Sequence, residues 1–396
     1  MSGRLVRFIV AAGLLALPTS VFAQTTGTVR GDVASTAGVH LPGAAVVVTG
    51  EAIRGAERKA VTGPGGDFFF TGLPTGVYSV HAEASGFMPR EVTDVRVRIN
   101  TTTLISIVFA PLEQITEELT VTSESPLIDL TGSGVGNSYS ADFLEDLPTK
   151  RNMWDLISVS PGMSQSTEST DRQVAFGSNV QSNSWHVDGL DTSAPETGSA
   201  WWYVNPDIIA EIQVLGIGAP AEFGNLLGAA FNVVTKSGTN DFNGTLNTFY
   251  QAGGLTDENV TLADSDHPHF TRTEYHDLSL AVGGPLKHDR AWFFAAAQTV
   301  RDAIAQPGVD PDFAPVNAAE RYDLKFDVRI NDANQLSFKG HSEDFSLPEA
   351  GSAFVAPSAS GFESGTNPAW GLNFSSVLNP ENLFEFHYAS WTSDDH

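Results

Sequence analysis

Residues 322–331 read YDLKFDVRIN. Leu324, Phe326, Val328 and Ile330 alternate with Asp323, Lys325, Asp327 and Arg329. Successive side chains of a strand point to opposite faces, so this stretch has one apolar and one charged face. A half-buried soluble strand reads the same way. Repetition gives the pattern its weight. DFNGTLNTFYQAGG, YHDLSLAVGGPL, RAWFFAAAQTVR, NQLSFKGHSEDF, AWGLNFSSVL and NLFEFHYASWTSD follow the same rule, with Trp and Tyr near their ends. Strands of about ten residues, apolar outward and polar inward, are the signature of a transmembrane antiparallel barrel. Residues 252–271 and 302–319 are expected to be its long outer loops.

The N-terminal residues set the compartment. Arg4 and Arg7 precede an apolar run, FIVAAGLLAL, which Pro18 breaks, and Val21-Phe22-Ala23 is a small-residue cleavage site. Residues 1–23 therefore read as a secretory signal peptide. The run is too short to span a bilayer, which takes roughly 20 apolar residues. The chain has no cysteine, which excludes disulfide staples, thiol catalysis and Cys-based zinc sites. Its 47 acidic against 21 basic residues repel nucleic-acid backbones, so nucleic acid is not an expected partner.

Residues 24–112 read as a β-sandwich, with short strands separated by Gly/Pro turns. GTVRGDV, LPGAAVVVTG and TGPGGDFFFTGLPTGVYSVHAEASGF resemble the carboxypeptidase regulatory-like domain, a transthyretin/Ig-like fold. In that pattern residues 73–78, LPTGVY, shape a turn and supply one core aromatic. The chain shows no HExxH, G-x-S-x-G or P-loop pattern. His267-Pro268-His269 reads as an exposed loop pair. No enzyme, metal site or cofactor is expected.

Residues 126–239 mix short helices, short strands and glycine turns, as a small α+β domain does. Asp142 is expected to cap a helical turn. Met153, Trp154, Leu156 and Ile157 form an apolar stripe ended by Pro161-Gly162. Leu147-Pro148, NMWDLISVSPG, WHVDGLD and AEFGNLLGAAFNVVTKSGTNDFNG resemble the plug of TonB-dependent outer-membrane receptors of the Oar-like group. The last of these, residues 221–244, leads from plug into the first barrel strand in that family.

Within the linker, residues 113–125, Glu118-Leu119-Thr120-Val121-Thr122 resembles the family's TonB box. A β-prone, unpaired segment can add itself to a partner's sheet edge. A plain interdomain linker reads the same way.

The resemblance implies a mainly β protein of the Gram-negative outer membrane with its N-terminal domain in the periplasm. It implies import of an unidentified extracellular ligand, powered through a TonB-type energy-coupling protein. A non-transporting adhesion or secretion-linked surface protein is the alternative. Trp185, Trp201, Trp202 and Tyr203, within or beside the polar stretch 163–204, are the candidate ligand-facing aromatics. Stacking on sugar rings and simple loop packing both suit them. Plugged transporters have about 22 strands. Residues 240–396 hold enough chain for about seven, and the end, WTSDDH, lacks the usual terminal aromatic. The sequence is therefore expected to be an N-terminal fragment of a longer protein.

Overall fold

The computed structural model describes residues 25–53, 57–111, 121–122, 136–147, 151–165, 173–194, 198–219, 223, 227–255, 271–305, 312, 314–348, 361–379 and 382–395. The signal peptide, Glu118 to Thr120, Pro148 and the His267–His269 pair lie outside them.

The first domain is a sandwich. Its strands are β1 (Thr26–Ser35), β2 (Ala45–Gly50), β3 (Arg58–Val61), β4 (Asp67–Pro74), β5 (Gly76–Glu83), β6 (Arg90–Val97) and β7 (Thr102–Phe109). One sheet runs β4-β1-β7. The other runs β3-β2-β5-β6 and is extended by the two-residue strand β8 (Val121–Thr122). Alternate residues face inward and are fully buried, among them Val29, Val33, Val46, Val48, Phe68, Val80 and Val95. The LPTGVY turn acts as its sequence suggests. Leu73 and Tyr78 enter the core, and the Tyr78 hydroxyl donates to the Pro74 carbonyl at 2.6 Å.

The middle domain comprises β9 (Gly136–Ser140), α1 (Ala141–Glu145), α2 (Met153–Ser158), β10 (Met163–Gln165), β11 (Gln173–Ala175), β12 (Ser184–Val187), β13 (Leu190–Asp191), β14 (Ile209–Leu215) and β15 (Ala230–Thr235). A five-stranded sheet of order β13-β12-β15-β14-β9 forms its centre, with β12 parallel to β15. The four α2 apolar residues named above are all buried. Asn152 caps α2 by accepting from the Asp155 amide at 2.8 Å. The expected cap of α1 is corrected. Ser140 occupies that position without a side-chain bond, and Asp142 lies inside the first turn.

The third part is one antiparallel sheet of β16 (Asn243–Ala252), β17 (Thr271–Lys287), β18 (Ala291–Ala305), β19 (Val316–Arg329), β20 (Asn334–Pro348), β21 (Phe362–Thr366), β22 (Ala369–Asn379), β23 (Asn382–Trp391) and β24 (Asp394–Asp395). β20 pairs with β22 along its first half and β21 along its second. The break falls at Asn367-Pro368, where proline has no N–H to give the ladder. β24 on β21 and β23 on β22 repeat the arrangement. Five continuous strands plus two interrupted ones make seven spans. The barrel is not closed among the described residues. The spans exceed the expected ten residues, reaching 17 in β17. They continue into segments expected to be loop: β18 runs to Ala305 and β19 starts at Val316.

The face assignment follows the sequence pattern. Leu324, Val328 and Ile330 are exposed, while Lys325 and Asp327 are buried against the interior. Leu278, Leu280 and Val282 line the outside of β17, and Asp277 and Ser279 its inside. Leu280 is 52% exposed. Leu280→Arg is expected to cost about 2–4 kcal/mol if it sits near the bilayer midplane. Urea titration of the protein in liposomes measures it. A change below about 0.5 kcal/mol would mean that this face does not meet lipid.

Candidate functional site

The WHVDGLD stretch folds as a hairpin. Val187 pairs with Leu190, leaving Asp188-Gly189 as a two-residue turn. Both turn residues have positive φ, 51° and 84°, which is the requirement of the type I′ turn and the reason Asp-Gly suits it. The turn delivers a carboxylate into the interface with the barrel wall. Asp188 accepts from the Thr235 hydroxyl at 2.6 Å and the Thr235 amide at 3.0 Å. Lys325 of β19 reaches the carboxylate at 3.0 Å and the Thr235 carbonyl at 2.7 Å. Lys339 of β20 donates to the Asp188 carbonyl at 2.7 Å. Burial alone would raise the Asp188 pKa, but the two lysines and Thr235 outweigh it and bring it down to about 2.

A second polar chain crosses the interface farther round the wall. Arg151, just before α2, donates to Asp207 at 2.6 Å and to Asp277 of β17 at 2.9 Å. Gln298 of β18 donates to Asp277 at 2.8 Å and accepts from Arg321 of β19 at 2.9 Å. Arg321 also donates to Glu343 of β20 at 2.8 Å, and Glu343 accepts from the Tyr203 amide at 3.2 Å. Asn205 donates to Ser279 at 2.8 Å. Burial opposes the Arg151 charge, but Asp207 and Asp277 outweigh it and raise its pKa. Arg151 also lies over the Phe249 ring, 3.7 Å from its centroid.

The expected aromatic quartet divides. Trp185 is 0% exposed and Trp202 3%. Trp185 packs on Trp154 and Phe231, and its indole N–H donates to the Gly198 carbonyl at 3.0 Å. Trp202 stacks on His341 of β20. In this conformation neither presents a ring outside. Trp201 and Tyr203 are half-buried. Trp201 packs on Trp391 at the far end of β23, and Tyr203 packs on Trp154. Of the box-like segment, Val121 and Thr122 are described and pair in parallel with Val92 and Thr93 of β6.

A cleft of about 510 Å³ opens at the short-turn end of the sheet. Gly72 and Gly76 of the sandwich, Thr235 and Lys236 of the middle domain, and Lys339 and Glu385 of the wall line it. Sequence reading missed the two ionic clusters. The one available signal was a charge on the inward face of an otherwise alternating strand, which needs a partner from elsewhere.

Asp188→Asn takes the carboxylate from buried Lys325 and half-buried Lys339. It is expected to cost about 3–5 kcal/mol, as removal of one partner from a buried pair does. Because folding depresses this carboxylate's pKa, its contribution is present above the ordinary 3.8 and is lost as pH falls toward 2. Chemical denaturation of both forms at about pH 7 and about pH 3 measures both effects. A variant as stable as the parent at neutral pH would remove the cluster from the account.

Comparison with known proteins bears on these domains. Residues 28–110 match the carboxypeptidase regulatory-like domain, and residues 234–321 the outer membrane beta barrel domain. The chain is 27% identical over 301 residues to the TonB-dependent transporter Oar of Myxococcus xanthus, covering 72% of this chain and 28% of Oar. The siderophore receptor PirA from Acinetobacter baumannii shares the fold at 14% identity and a TM-score of 0.53, over 66% of this chain and 40% of PirA. The ferric enterobactin receptor PfeA from Pseudomonas aeruginosa does so at 12% identity and a TM-score of 0.51, over 67% and 41%. The chain thus spans well under half the length of these relatives, which are a transporter and receptors rather than enzymes. It carries a carboxypeptidase regulatory-like domain and an outer membrane β-barrel domain, resides in the outer membrane, and is a homologue of the TonB-dependent transporter Oar.

Proposed function

We propose that this chain forms the periplasmic domain, plug and first wall of an outer-membrane importer driven through a TonB-type energy-coupling protein. The observation that carries the reading is the plug's seat. A small α+β domain lies against the inner face of a lipid-facing sheet and is held there by hydrogen-bonded charges together with apolar contacts from Ala281, Phe294, Ala296 and Ala369 of the wall. Such a seat suits a stopper that is withdrawn and replaced. The ligand enters from the side of the long connections, where Trp201 and Tyr203 lie. The energy-coupling protein acts from the short-turn side on residues 118–122, of which Val121 and Thr122 already take strand conformation.

Strand addition depends on backbone N–H groups, so Val121→Pro removes one and restricts the residue before it. The full chain is expected to lose at least about ten-fold in affinity for the purified periplasmic domain of the coupling protein. Leu119→Pro tests the neighbouring position. Undiminished binding by both variants would favour a non-transporting surface role for this barrel.

A further inference from the structure

One backbone unit of the sandwich is hydrogen-bonded by two plug side chains, one of them a carboxylate. The loop between β6 and β7 presents Ile99, which is fully buried at the junction. Two side chains of plug strand β14 hold it from the same strand face. Gln213 donates to the Ile99 carbonyl at 2.8 Å, and the Ile99 amide donates to the Glu211 carboxylate over a long 3.4 Å. Both side chains are buried. Gln213 Oε1 has no partner among the described residues.

We propose that Glu211 is a proton-operated catch that holds the N-terminal sandwich on the plug, closing when protonated and loosening when charged. This goes beyond the import reading and stands whether or not the chain imports anything. The geometry asks for a neutral group. The contact is built on a single peptide unit and a neutral amide, and one stretched N–H with a serine hydroxyl and a nearby arginine only partly compensates a buried anion. A carboxyl O–H would also supply a donor on the face where Gln213 leaves an acceptor unused. The groups around Glu211 are few. Ser138 comes from β9, Arg98 from the sandwich loop, and β15 pairs Val234 opposite it. Burial raises the Glu211 pKa, and Ser138, the Ile99 amide and Arg98 recover only part, leaving it at about 7 against an ordinary 4.5. A carboxylate whose pKa rises on docking binds its proton more tightly in the docked state. Docking therefore strengthens as pH falls through 7 and weakens above it.

With the ordinary value for the undocked state, the docking equilibrium should favour contact about ten-fold more at about pH 6 than at about pH 8.5. The chain has no cysteine of its own, so Val61→Cys on the sandwich and Ile217→Cys on the plug, both exposed, accept spin labels selectively. Pulsed electron–electron distance measurements on the full chain in detergent read the populations. One short-distance population at low pH, joined by a longer, broader one at high pH, is the expected result. Glu211→Gln should keep the short distance at every pH. Ile99→Pro, which removes the amide donor, should show the long population throughout and proves that the labels report separation. A parent distance distribution unchanged across this range overturns the proposal. So does a Glu211→Gln protein that responds to pH as the parent does, or an Ile99→Pro protein that stays at the short distance.

Discussion

Inward-facing charges on the barrel wall need partners; some find them on the next strand, as Arg321 does on Glu343, and others only across the interface, as Lys325 does on Asp188. That constraint organises the molecule. In a spanning strand the outward residues meet lipid, and their apolar character is enforced by the several-kcal/mol cost of unsatisfied polar groups there. The inward residues are then free to be polar, but only while water or a second structure satisfies them. In β17 to β20 the second structure is the plug. Asp277, Gln298, Arg321, Glu343, Lys325 and Lys339 are joined to it through Arg151, Tyr203, Asp188 and Thr235. Neither the wall nor the plug holds a balanced set of these charges alone.

The polar share of this contact has a mechanical consequence. An apolar interface resists separation in proportion to its area, at about 25 cal/mol per Å², because water repays nothing on exposed hydrocarbon. A hydrogen-bonded interface does otherwise. Water takes over each donor and acceptor as it parts, so even a bond to a charged group contributes only about 1.5–3 kcal/mol net. The same seat is therefore specific while dry and cheap to leave once wetted. Trp154, Trp185 and Phe231 show the contrast. The largest rings pack within the plug, and the wall adds mostly small side chains, Ala281, Ala296 and Ala369 with Phe294, to the same core, beside the ring contacts of Trp202 with His341 and Trp201 with Trp391.

How much of this was legible in the sequence follows from the range of each interaction. The alternation of YDLKFDVRIN encodes its own two faces, and Leu324, Lys325, Asp327 and Val328 lie where the period places them. The Asp-Gly turn is equally local, since two adjacent residues satisfy the whole φ requirement. Val121 and Thr122 read correctly as strand-prone, but that their neighbour is β6 could not be read from them. The burial of Trp185 and Trp202 could not be read from a stretch rich in Gln, Ser and Asn, because that polarity belongs to other residues of the stretch. The ionic clusters were invisible for a different reason. Arg151 and Asp277 are 126 positions apart, and no periodicity links a plug helix to a barrel strand. A sequence gives the charge and the face, and only the fold gives the partner.

The route from the sandwich into the wall is short. β6 carries β8 along one edge and ends two residues before Ile99. Ile99 is held by Glu211 and Gln213 of β14, which pairs along its length with β15. β15 ends in Thr235, whose hydroxyl, amide and carbonyl fix Asp188 and Lys325. A pull directed along β14 loads all the β14–β15 hydrogen bonds together, whereas a pull across the strands opens them one at a time. Ladders resist the first far better than the second. Force arriving along the strands would reach the lysine cluster before the plug sheet comes apart, and force arriving across them would unravel the sheet first. Under the proposed function, the direction in which the sandwich is drawn would decide whether the plug moves as a body or melts.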